Sequence, residues 1–103
     1  MLTIIHATWG YKGVFKDVSG ILKAKINLAG DLIIAVNTAT LTDPCNGWVK
    51  ELNVIYEYEG KRHHILVQEQ HPQPYGARQL SIVNGIATTN TKYPGLIKIA
   101  GLV

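Results

Sequence analysis

Apolar and polar positions along the chain alternate mostly with the two-residue period of a β-strand. The clearest stretch runs from Leu52 to Tyr58, where Leu52, Val54, Tyr56 and Tyr58 fall on one face and Asn53, Ile55 and Glu57 on the other. Such alternation marks a strand with one face turned to a core. Glu59-Gly60 interrupts the pattern before "KRHHILVQEQ", which predicts a β-hairpin over 49–68 at the centre of the fold. A second hairpin is predicted in "RQLSIVNGIATTN", with Asn84-Gly85 supplying the two positive φ angles of a type I′ turn.

"LTIIHAT" (2–8) and "DLIIAVN" (31–37) are short, β-branched and closed by turn residues, as buried or half-buried strands are, and "GLIKIAGLV" predicts a last strand inside a sheet. One segment differs. In "KDVSGILKAKINLAG", Val18, Ile21, Leu22, Lys25 and Ile26 recur near helical spacing, but Gly20 and Gly30 argue against a long helix, leaving a helical turn or two, or a strand. The one linker-like stretch is "QHPQPYGA". Seven or so short strands with frequent turns predict an all-β protein: an antiparallel β-sandwich, Ig-like or jelly-roll-like, with room for one short helical turn and a partly closed barrel as the alternative.

Length and composition narrow the picture. The 103 residues suit a single domain, 1–103, and 47% apolar against 17% charged residues describes a globular chain. The net charge of +3 comes from ten Lys and Arg spread along the sequence, without the clustering of a nucleic-acid binder. No stretch reaches the about 18 apolar residues of a membrane span, and "MLTIIHATWG" lacks the basic start of a signal peptide. The lone Cys45 allows no internal disulfide and no thiolate cluster, and no Asn-x-Ser/Thr sequon occurs. These features predict a soluble, cytoplasmic protein with neither a nucleic-acid nor a membrane partner.

The ordered set "HATWGYKGVFKDVSGILKAKI", "GDLIIAVN" and "DPCNGWVKELNVIYEYEGKRHHILV" resembles the C-terminal domain of unknown function of mitochondrial DnaJ-type co-chaperones. The resemblance spans roughly residues 5–69. It rests on Asp43-Pro44-Cys45-x-Gly47 followed by Lys50, Leu52, Val54, Tyr56, Gly60 and His64. It implies a β-rich, non-enzymatic domain and leaves its ligand open. There is no J-domain and no His-Pro-Asp tripeptide, so stimulation of an Hsp70 ATPase is not implied, and the residues after Gln70 have no counterpart.

Candidate chemistry is sparse. The seven carboxylates form no isolated pair in apolar surroundings, and no nucleophile elbow, P-loop or dinucleotide fingerprint occurs, so no catalytic residue and no cofactor is assigned. His63 and His64 are adjacent and point to opposite faces of a strand, and with His6 and His71 elsewhere no metal site is assigned. Cys45 reads as a structural, unreactive thiol. What remains are aromatic residues beside glycine and proline. Trp9 and Tyr11 read as members of a glycine-flanked loop, and Trp48 follows Asp43 and Asn46 in a polar turn. An aromatic ring can stack on a pyranose while a carboxylate or amide takes its hydroxyls. Trp9, Tyr11, Asp43, Asn46 and Trp48 are therefore the candidate ligand-binding set. The expected function is a lectin-like carbohydrate-binding module, with a protein-interaction module related to the co-chaperone domain as the alternative; self-association as a homo-oligomer stays open.

Overall fold

The computed structural model describes residues 1–42, 44, 48–69, 78–90 and 96–98. The chain folds as a mostly antiparallel two-sheet β-sandwich. β1 (Leu2–Tyr11) and β2 (Val14–Asp17) form a hairpin, followed by α1 (Ser19–Ala24), β3 (Leu32–Val36) and α2 (Thr38–Leu41). β4 (Glu51–Tyr58) and β5 (Lys61–Gln68) make the second hairpin, β6 (Arg78–Val83) and β7 (Ile86–Thr89) the third, and β8 (Leu96–Lys98) comes last. One sheet runs β2-β1-β4-β5-β8 and the other β3-β6-β7. The 49–68 hairpin is central, as the alternation of Leu52 to Tyr58 predicts.

Each hairpin turns on two residues with positive φ: Lys12-Gly13, Glu59-Gly60 and Asn84-Gly85. That is the type I′ geometry, whose twist matches that of the strands it joins. The sequence reading anticipated the last two and missed the first, because it placed Trp9 to Tyr11 in a loop. Only Lys12 and Gly13 lie between the strands.

The inward face of β4 contributes Leu52, Val54 and Tyr56 to the core, against Ile65 and Val67 of β5, Leu32, Ile34 and Val36 of β3, and Leu80 and Ile82 of β6. β1 reaches the same core by an irregular route. Leu2 and Ile4 point inward, then Ala7 and Trp9 do, a change from even to odd positions. The register with β4 shifts between Ile4 and His6, so Ile5 is the extra residue of a β-bulge. Were Ile5 paired as an ordinary strand residue, strict alternation from Leu2 and Ile4 would carry Trp9 to the outer face.

Two side chains tie one sheet to the other. The Tyr56 hydroxyl donates to the Gly85 carbonyl at 2.8 Å, and the Arg78 guanidinium donates to the Gln68 carbonyl at 2.8 Å. Burial pushes the Tyr56 phenol up and the Arg78 guanidinium down from their ordinary values. Each nevertheless has a hydrogen-bond acceptor, as a buried donor needs.

The helical spacing around Ile21 resolves as α1, a short helix that buries Leu22. Ser19 sits at its start and completes the edge of β1: its hydroxyl accepts from the Ala7 amide at 2.8 Å, where β2 has already ended. The Ser19 amide in turn donates to Asp17 Oδ1 at 2.8 Å. α2 was not anticipated. Asn37 starts it, its side-chain oxygen accepting from the Thr40 amide at 2.9 Å, as an N-cap does. Among the described residues, no helix is long and apolar enough to cross a membrane.

Candidate functional site

The candidate site lies at the end of the sandwich where β1 leaves the five-stranded sheet and β4 enters it. Trp48 stands just before β4 and is 59% exposed. Its indole stacks on the Tyr11 ring, with centroids 5.5 Å apart and planes 24° from parallel. The sequence separates these residues widely; the antiparallel β1–β4 pairing, with Gly10 opposite Glu51, brings them together.

The backbone that carries Trp48 is held by a lysine. Lys50 is buried, and its ammonium donates to the Trp48 carbonyl at 2.7 Å and lies 3.6 Å from Glu69 Oε1. Glu69 closes the arrangement from the end of β5: its carboxylate accepts from the Lys50 amide at 3.2 Å, while its own amide donates to the Lys50 carbonyl at 2.8 Å. A buried charge is tolerated when paired and hydrogen-bonded, and this one anchors the base of an exposed tryptophan. On the other strand Lys12, at the tip of the β1–β2 turn, places its ammonium 5.6 Å from the Tyr11 ring centroid. That is the range of a cation–π contact.

Of the five residues singled out from the sequence, Tyr11 and Trp48 meet. Asp43 and Asn46, with Cys45 between them, lie outside the described residues. Trp9 requires a correction. It belongs to β1, not to a loop, and is fully buried with no exposed surface, so it offers no ring face to a ligand. Its indole N–H instead donates to the Thr42 carbonyl at 2.9 Å. The bulge at Ile5 is the reason, because it turns Trp9 inward.

Lys12, Lys50 and Glu69 were not among the candidate ligand-binding residues read from the sequence. For Lys12 a signal existed: Lys-Gly between two strand-like runs is a two-residue turn that carries its first side chain at the tip. Lys50 and Glu69 gave none, since their pairing depends on the β4–β5 register.

The histidines occupy other places. His63 stacks on Tyr56 with centroids 4.9 Å apart, and His64 Nε2 lies 3.3 Å from Asn53 Oδ1 across the strand pair, so the two rings take opposite faces as expected of neighbours in a strand. His6 Nδ1 is 4.0 Å from Asp17 Oδ2 at the surface. Hydrogen bonding from the Ser19 side chain and backbone, helped by His6 and Lys23, holds the Asp17 carboxyl below its ordinary range. Among the described residues no group of three His, Cys, Asp or Glu side chains gathers as metal donors.

Comparison with protein-family models, with curated proteins and with solved structures finds no match.

Proposed function

We propose that the protein is a small, non-enzymatic, lectin-like module of the cytoplasm that binds carbohydrate at the Tyr11–Trp48 pair, without a cofactor. The single observation that carries this reading is the stack itself. A tryptophan 59% exposed at the mouth of a sandwich, backed by a tyrosine and fixed at its backbone by a buried lysine, is a preorganised flat apolar surface. Exposed aromatic surface of this kind marks binding sites, and the apolar face of a pyranose fits it.

A glycan array followed by calorimetric titration of the best sugar tests the proposal. Trp9 is sealed in the core, so of the two tryptophans only Trp48 meets solvent and a sugar-dependent change in emission reports this rim. The expected result is such a change, together with loss of binding in Trp48→Ala that still shows the β circular dichroism of the parent. Sugar binding that survives this substitution would overturn the assignment.

A protein-interaction module is the second reading, and a different surface favours it. The outward face of the five-stranded sheet exposes Ile5, Phe15 and Ile97, and the co-chaperone resemblance favours an interaction module. A pull-down that depends on Ile5 and Ile97, with no sugar bound on the array, would select it.

A further inference from the structure

We infer that the Tyr11–Trp48 rim takes an acidic oligosaccharide, one whose uronate carboxylate pairs with Lys12 while a neighbouring pyranose covers Trp48. This rests on the carbohydrate reading above and adds its charge. The Lys12 ammonium and the Trp48 indole touch the same tyrosine ring, so they stand at most about 11 Å apart, a distance a short oligosaccharide spans.

Among the described residues the charge around them is one-sided. Lys16 pairs with Trp9 and Val14 with Tyr11 in the β1–β2 register, so alternation sets Lys16 on the Tyr11 side of the sheet, one diagonal step away. The nearby acids do not offset these lysines. Asp17 and Glu51 stand opposite Thr8 and Gly10, which puts them on the other face, and Glu69 is engaged by Lys50. Among the described residues, then, the rim offers two exposed ammonium groups beside a flat aromatic surface, with no carboxylate left to answer them. A neutral sugar would use only the aromatic surface; a uronate uses both.

Single-stranded nucleic acid also combines anions with stacking rings, but it needs cations that track a backbone over several nucleotides. On the Tyr11 face of β1 and β2 the described cations are Lys12 and Lys16 alone, too few to form such a track.

The test compares tri-galacturonate with the neutral galactose trisaccharide of the same linkage, by calorimetry at low and high salt. The acidic sugar is expected to bind about fivefold more tightly at low salt, with the advantage lost in about 0.5 M sodium chloride, as a solvent-exposed ion pair should behave. Lys12→Asn, chosen because asparagine tolerates the positive φ of this position, should bring the two affinities together. Lys16→Gln should narrow the gap by itself. Equal affinities in the parent protein, or an advantage that persists in Lys12→Asn, would overturn the acidic specificity while leaving the sugar platform standing. Failure of both sugars to bind, or binding unchanged by Trp48→Ala, would remove the platform itself. Tighter binding of an oligothymidylate than of either sugar would overturn both in favour of nucleic acid.

Discussion

The indole N–H of Trp9 donates to the carbonyl of Thr42, at 2.9 Å, across 33 positions of sequence. This bond fastens the core of the five-stranded sheet to the end of α2, where Thr42 adopts a φ of 74°, an uncommon conformation for a β-branched residue. Trp9 is thus bonded to the residue that ends α2, while Trp48 stands exposed just before β4.

Trp9→Phe keeps most of the buried ring and removes the donor. It should cost about 1–3 kcal/mol, combining the lost hydrogen bond, an acceptor left unpaired and a small cavity. Denaturant unfolding followed by Trp48 emission measures it directly. An unchanged midpoint would show that Thr42 does not depend on this bond.

Leu52→Ala should destabilise by about 2–5 kcal/mol, since Leu52 is fully buried between Trp9 and Val67 in the strand register. Ile55→Ala, on the outward face of the same strand, should cost less than about 1.5 kcal/mol. Equal losses at the two sites in urea titrations would mean that the outer face is covered as fully as the inner one.

Gly85 and Gly13 both hold positive φ, 77° and 80°, in matching turns. A Cβ at Gly13 would meet nothing within 4 Å, whereas one at Gly85 would come 2.5 Å from a ring carbon of Tyr58. Gly13→Ala should therefore cost only the backbone strain, about 1 kcal/mol, and Gly85→Ala distinctly more, because Tyr58 must move as well. Thermal unfolding of the pair separates conformational strain from steric conflict. Equal shifts in Tm would place Tyr58 elsewhere in solution.

Asp17 predicts a pH dependence. Hydrogen bonds from Ser19, with smaller help from His6 and Lys23, hold its carboxyl below the ordinary value of 3.8. A depressed folded value means that the unfolded chain takes up the proton first, so this contribution is fully present above that ordinary value and is lost as pH falls through the folded one. Asp17→Asn retains an acceptor for the Ser19 amide but cannot titrate. Its Tm should fall less steeply than the parent's between about pH 5 and about pH 2. Parallel curves would show that Ser19 does not perturb the carboxyl.

The sequence was most readable where local chemistry and tertiary packing agree. Leu52 to Tyr58 alternates cleanly because β4 is central and regular, and Asn84-Gly85 announces its turn because only some residues accept that backbone. β1 was harder to read. Its bulge changes which positions face inward, and no residue type near Ile5 marks the change, so Trp9 looked like part of a loop although it is a core residue. Of the site, Tyr11 and Trp48 could be singled out as aromatics, but their stacking could not. It follows from strand register, as does the burial of Lys50 against Glu69, and register is a long-range property that a local pattern does not encode.

The extra residue at Ile5 also makes β1 sensitive to counting in a way its composition hides. Removing that single residue would leave Ile4 opposite Tyr56 and His6 opposite Ile55 with nothing between them, a regular register in which Ala7 and Trp9 still face the core. Removing Thr8 instead would set Ala7 and Trp9 on opposite faces. A strand built this way can lose a residue at its bulge but not beyond it. The spacing between Ile4 and Ala7 is itself a structural element, one residue long and invisible to any measure of hydrophobicity.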